Sequence, residues 1–219
     1  MKKKRITWLQ VSIHLLGWLP LARIVLDYYS NALTINPIQE VTQRLGRLAA
    51  YFLIASLAAT PLHTLFGWRE MLKRRRALGL YAFMYASLHA LMFIGVDYGF
   101  NLGELNTILL KKPYALMGMT TFFILLPLAI TSFKWFMKKM GRGWINLHQL
   151  VYLAAVVDII HYAWAKKGNL LALSGDILQP LLLGILVVLL LVLRIPPVRR
   201  WASGFRQKFS RQRRILKKT

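Results

Sequence analysis

Six stretches of about twenty mostly apolar residues dominate this chain, at positions 8–28, 46–66, 77–96, 114–136, 144–165 and 177–195. A helix needs about 20 such residues to cross a hydrocarbon layer roughly 30 Å thick. In lipid, only helices and closed barrels satisfy every backbone N–H and C=O. The pattern therefore predicts an all-α polytopic membrane protein, a bundle of six transmembrane helices in one transmembrane domain spanning 1–219. Composition agrees: 57% of residues are hydrophobic and 17% charged, whereas a soluble domain averages about 25% charged. Helix 1 carries Arg23 and Asp27 one turn apart, a spacing that lets them pair on one face. The start Met1-Lys2-Lys3-Lys4-Arg5 resembles that of a signal peptide, but the long run after it lacks a small-residue cleavage site and reads as a retained helix.

With 30 Lys and Arg against 7 Asp and Glu, the formal charge is +23. In a soluble protein that excess would suggest nucleic acid; between membrane spans it marks the side that retains cations. With alternating helices, 23 of the 30 basic residues fall on one side and 6 on the other, with Arg23 inside helix 1. Both termini are accordingly expected in the cytoplasm. The basic tail 196–219 reads as a lipid-headgroup anchor rather than a nucleic-acid site. Pro20, Pro61 and Pro127 should kink helices 1, 2 and 4. The connections leave no room for a soluble catalytic domain.

The chemistry has few candidates. There is no cysteine, which excludes disulfides, thiolate iron–sulfur clusters and Cys-linked haem. No Gly-x-Gly-x-x-Gly or Gly-x-x-x-x-Gly-Lys pattern occurs, so the usual dinucleotide and nucleotide loops are missing. All five histidines, His14, His63, His89, His148 and His161, lie in or beside the apolar stretches. An imidazole in hydrocarbon is costly unless paired, and its two general uses there are ligation of a metal or haem and proton relay. Counting about 1.5 Å per residue from the starts of helices 3 and 5 puts His148 about 6 Å in, His89 about 18 Å and His161 about 25 Å. His89 and His161 are the better matched pair for one iron between facing imidazoles.

His148 and His161 are separated by about 20 Å along one helix but lie about 140° apart around it. Two stacked haems in one groove would thus need helix 5 bent, with His63 the one candidate partner at the depth of His148. Asp158, on the His161 face, is a possible acceptor for the ring N–H of a ligating imidazole. His14 reads as a histidine bonded inside the bundle. Met84, Met92, Met117 and Met119 offer thioethers, although bundle methionines are usually filler; Tyr81, Phe83, Tyr85 and Phe93 read as core packing or cofactor flanks.

The run Arg75-Arg76-Ala77-Leu78-Gly79-Leu80-Tyr81-Ala82-Phe83-Met84-Tyr85-Ala86-Ser87-Leu88-His89 resembles the third helix of the MsrQ (YedZ) family. Asn36-Pro37, Thr60-Pro61-Leu62, Lys112-Pro113-Tyr114, Leu147-His148-Gln149-Leu150-Val151-Tyr152 and His161-Tyr162-Ala163-Trp164 agree with it in order and spacing. The resemblance implies a ferric-reductase-like transmembrane domain in a bacterial inner membrane, related to the haem core of NADPH oxidases and metalloreductases. It implies haem b, one or two per chain, and FMN. Electrons would come from the quinone pool or a cytoplasmic flavin reductase and pass to a periplasmic molybdopterin-containing reductase that repairs methionine sulfoxide. By the same resemblance His89, His148 and His161 are the axial haem ligands, while His14 and His63 match no family histidine. Two other readings stay open: a stand-alone ferric or cupric metalloreductase, and a proton-coupled transporter using buried histidines.

Overall fold

In a computed structural model, the structure describes residues 6–166 and 176–204. Lys2 to Arg5, Lys167 and the tail beyond Gly204 fall outside them. Among the described residues the ordered elements are helical, with no strand. They are α1 (Trp8–Tyr29), α2 (Pro37–Phe66), α3 (Arg69–Leu91), α4 (Leu102–Lys111), α5 (Pro113–Ile130), α6 (Lys134–Met140), α7 (Arg142–Ala165), α8 (Leu178–Val192) and α9 (Pro196–Gly204). Five helices, α1, α2, α3 with its continuation, α5 and α7, are long and apolar enough to cross a membrane, and α8 with α9 makes a sixth if that bent pair counts as one span. The end of the bundle where α1 begins is called the near end below, and the opposite one the far end.

Local chemistry moves several boundaries from where hydropathy puts them. Helix α2 starts at Pro37 rather than 46: Asn36 Oδ1 accepts Gln39 N–H at 3.1 Å, and proline at the first helical position gives up no bond it would have made. Helix α3 starts at Arg69 rather than 77. Its basic first turns are helical because Glu70 pairs with Lys73 one turn on. It then runs into one π-helical turn, Met92–Asp97.

Helix α5 stops at Ile130 rather than 136. Pro127 has no N–H to donate, Thr131 and Ser132 turn their hydroxyls back onto the carbonyls of Pro127 (2.6 Å) and Leu128 (2.8 Å), and the chain restarts as α6. Helix α8 is 15 residues long, about 22 Å. Pro196 and Pro197 forbid its continuation to a full crossing, and α9 leaves at 82°. The connection between α3 and α5 contains α4, capped by Asn101 Oδ1 on the N–H groups of Gly103 and Glu104.

Two antiparallel hairpins form the centre: α2 packs along α3, and α5 along α7. They meet where α3 touches α5 and α2 touches α7. Ala59, Ala82, Ala154, Ala155 and Ala163 on these helices are all essentially without exposure. Lipid tails are as apolar as leucine, so helices associate by close van der Waals fit, which small residues permit. Leucines on the outside of α8, such as Leu182 and Leu189, stay exposed to the bilayer instead.

Polar bonds fasten the peripheral helices. On α1, Gly17 lies directly over the Tyr81 ring, its carbonyl accepts from Tyr85 Oη at 2.8 Å, and His14 Nδ1 meets Tyr81 Oη at 2.8 Å. At the far end Asp27 joins Arg23 (2.8 Å) and Arg44 (2.6 Å), and Glu40 pairs with Arg44 (2.5 Å) while accepting Thr34 N–H at 2.7 Å. The expected Arg23–Asp27 pair thus forms as part of a larger network. Beyond α8, Arg194 donates to Tyr152 Oη (2.8 Å) and to the Leu57 carbonyl (2.5 Å).

Candidate functional site

Between the two hairpins, toward the far end, lies a cavity of about 620 Å³ whose walls include His89 and His161. That volume falls inside the usual range for cofactor pockets, about 300–1,000 Å³. His89 comes from the last turn of α3 and His161 from the last turns of α7. Their ring centroids are 6.0 Å apart with planes at 71°. The two histidines that helix depth pairs in the sequence thus line one cavity. The cavity wall that faces them is built by the first turns of the antiparallel partners, α2 and α5.

Each ring is held in the same way. His89 Nδ1 lies 2.8 Å from the carbonyl of Thr42 on α2, and His161 Nδ1 lies 2.7 Å from the carbonyl of Tyr114 on α5. A carbonyl only accepts, so each Nδ1 carries the proton, and the lone pair of the neutral ring sits on Nε2. Such rings are prepared as metal ligands, because the backbone partner fixes tautomer and orientation.

One turn along α2 and α5 from those carbonyls stand Gly46 and Gly118. A Cβ on Gly46 would come within 3.1 Å of His89 Cε1, and one on Gly118 within 2.8 Å of His161 Cε1. Both glycines therefore leave the space in which an imidazole packs closely against a helix.

Other candidates separate from this pair. Asp158 lines the same cavity, but the His161 ring N–H goes to Tyr114, so the carboxylate is not its orienting partner. Of the four methionines, only Met119 lines the far cavity. Phe93 lies on its wall, whereas Tyr81 and Tyr85 are core residues that anchor α1.

His148 belongs to a second cavity of about 340 Å³ toward the near end, walled by Arg75, Arg76, Gly79, Trp144 and Tyr152. Its Nε2 is 3.1 Å from Thr131 Oγ1 and its ring lies 4.1 Å from that of Trp144, whose Nε1 donates to the Thr131 carbonyl at 2.9 Å. His63 lines neither cavity, so the suggested pairing of His63 with His148 has no support in the geometry.

Sequence reasoning missed the carbonyls of Thr42 and Tyr114, which any residue type can supply. It also missed Gly46, Gly118, Arg47 and Tyr162 on the same walls. A glycine inside a long apolar helix was the one available signal, since it weakens the helix unless something must approach closely.

Among the described residues no three His or carboxylate groups cluster as a cage for a bare metal ion. Two imidazoles alone suit an ion whose remaining positions are filled by something else. Iron in a porphyrin, held by axial ligands above and below, fits that description.

Residues 45–159 match the family described as "Ferric reductase like transmembrane component". The matched stretch holds Gly46, His89, Gly118 and His148 and stops just before His161. The chain is similar to the protein-methionine-sulfoxide reductase heme-binding subunit MsrQ of several bacteria. It is 40% identical to that of Rhodospirillum rubrum, with 89% of this chain and 91% of the relative covered. For Herminiimonas arsenicoxydans the figures are 36%, 87% and 86%, and for Cronobacter sakazakii 36%, 90% and 96%. No solved structure matches the chain.

Proposed function

Since the chain belongs to the ferric-reductase-like transmembrane family and, within it, to the MsrQ heme-binding subunits, we propose that it is a b-haem electron carrier of the bacterial inner membrane. In this reading it takes electrons from the quinone pool or a cytoplasmic flavin reductase. It passes them to a periplasmic molybdopterin-dependent reductase that repairs methionine sulfoxide in damaged proteins. The near end, which gathers the basic loops, faces the cytoplasm and the far cavity faces the periplasm. Catalysis on methionine sulfoxide belongs to the partner.

The observation that carries this reading is the pair of backbone-clamped imidazoles with centroids 6.0 Å apart in one cavity. Each ring has its Nδ1 engaged by a carbonyl and so would have Nε2 available to hold an iron. Haem supplies a one-electron ferric/ferrous couple when bound. His89 and His161 would hold the haem iron through Nε2, which the hydrogen bonds from Nδ1 to the carbonyls of Thr42 and Tyr114 leave unprotonated, and Gly46 and Gly118 let the rings lie close to the partner helices. Apolar side chains on the inner walls, among them Leu53, Phe122 and Leu125, would tune the potential of a metal held there. His148, in the near cavity, serves a second haem or an alternative ligation state.

The test is to purify the full chain, quantify haem, and record reduced-minus-oxidised spectra for the parent and for His89→Ala and His161→Ala. The reading expects both variants to lose most of the far-cavity haem. Full haem content in both would reject the ligand assignment, and a colourless parent protein with ample porphyrin supply would reject the haem reading itself.

A further inference from the structure

The cavity lined by His89 and His161 contains a positive charge with no ion-pair partner among the described residues. Arg47 lines it, ten residues into α2 and so about 15 Å along that helix. Among the described residues it makes no ion pair or hydrogen bond. A guanidinium at that depth is expensive without an anion. The contrast with Arg44, one turn earlier on the same helix, is informative: Arg44 has two carboxylates, Asp27 at 2.6 Å and Glu40 at 2.5 Å. Nor do the other cations of the cavity repeat the situation. Lys166 is bridged to Asp176 at 2.7 Å, and Lys112 is exposed at the start of α5.

A second group points the same way. Tyr162 lines the cavity immediately after His161, and its Oη is buried without a hydrogen-bond partner among the described residues. Arg47 likewise follows Gly46, the glycine against which the His89 ring lies. Side chains on a helix lean toward its N-terminus, which carries the Arg47 guanidinium from the level of the imidazoles toward the far end. A fork of N–H donors and a phenol O–H, both without a hydrogen-bond partner among the described residues, thus line the same cavity as the two rings.

Donors of this kind recognise a carboxylate, which accepts both N–H bonds of a guanidinium side by side and one O–H more. We propose that Arg47 and the Tyr162 hydroxyl together bind a carboxylate side arm of the porphyrin held by His89 and His161. The inference rests on the haem reading above and adds to it the residues that fix the rotation of the macrocycle about the axis between the imidazoles. Asp97 and Asp158, the carboxylates that also line this cavity, form no ion pair with Arg47.

The experiment uses full-length protein produced without haem and loaded in detergent with either iron protoporphyrin or its dimethyl ester, in which both carboxylates are masked. The parent chain should favour the free acid by about tenfold, the scale of one charge-assisted hydrogen bond. R47Q should lose most of that preference, R47K should keep part of it, and Y162F, which removes a single oxygen atom, should reduce it while folding normally. In haem-loaded R47Q the two-imidazole spectrum should persist with a lower midpoint potential, because a positive charge near the iron has gone. Equal affinity of the parent for acid and ester, or an undiminished preference in both R47Q and Y162F, would overturn the inference with the haem reading intact. Failure of the parent to bind either porphyrin would overturn both.

Discussion

His89 and His161 are related by more than proximity: each rests its Nδ1 on a backbone carbonyl 47 residues earlier, at 2.8 and 2.7 Å, and each lies against a glycine one turn beyond that carbonyl. Thr42, Gly46 and His89 on the α2–α3 hairpin are thus repeated, at the same spacing, by Tyr114, Gly118 and His161 on the α5–α7 hairpin. The two hairpins present equivalent imidazoles to one cavity. A ligand bound symmetrically by two imidazoles needs that arrangement, and a single buried histidine would not produce it.

The glycines should therefore be sensitive, and unequally so. A methyl group on Gly118 would lie 2.8 Å from His161 Cε1 and one on Gly46 3.1 Å from His89 Cε1. The G118A ring must shift, whereas in G46A it must yield by a few tenths of an ångström. Overpacking of this kind costs about 1–3 kcal/mol. Electron paramagnetic resonance of the ferric protein should show a mixed or high-spin signal in G118A and a nearly normal low-spin signal in G46A. A normal G118A spectrum would remove the argument that this glycine makes room for the ring.

Helix α1 should be held chiefly by its contact with α3. Tyr85 is fully buried and donates to the Gly17 carbonyl at 2.8 Å, and Gly17 leaves no space above the Tyr81 ring. Hydrogen bonds between helices in a bilayer are worth about 1 kcal/mol, so Y85F should lower the unfolding temperature in detergent slightly. G17L should lower it much further and expose α1 to protease. Unchanged stability in G17L would mean that α1 is fastened elsewhere.

The far-end ion network gives a comparable contrast. Asp27 is 5% exposed and bridges Arg23 and Arg44, while the Arg23 side chain is 74% exposed. D27N removes the central anion and leaves Arg44 to Glu40 alone, so its unfolding temperature should fall clearly. R23Q, which gives up one solvent-exposed partner, should stay close to the parent, as surface pairs usually contribute little. Equal effects of the two would show that Asp27 acts through Arg23.

Much of this architecture is legible in the sequence because lipid imposes length and polarity on each helix, and the site's histidines are visible as polar residues where polar residues are costly. What escapes is backbone chemistry. Thr42 and Tyr114 contribute carbonyl oxygens, which no residue identity announces, and Asp158 draws attention although the ring N–H it might accept goes to Tyr114 instead. Depth counted from hydrophobic boundaries separates His89 from His161 by about 7 Å. The true helix starts, Arg69 and Arg142, lie in charged sequence that hydropathy discards. The short α8 escapes for the same reason in reverse: apolar letters run on to Ile195, but the proline pair behind them ends the helix.

His148 provides the sharpest test of whether the two cavities are independent. It lies against Trp144 and Thr131 in the near cavity, with Arg75 and Arg76 on the same wall, and does not line the cavity of the imidazole pair. In H148A the low-spin signal assigned to His89 and His161 should survive at the parent's amplitude, with any lost haem drawn from the near cavity alone. Leu53 and Leu125 line both cavities and form the partition between them. Both are buried in the hydrophobic core, so a cavity left at His148 has rigid neighbours and should not propagate to the far end. If the far-end signal instead fell as far in H148A as in H89A, the two cavities would be one site, and the assignment of His161 as the partner of His89 would have to be abandoned.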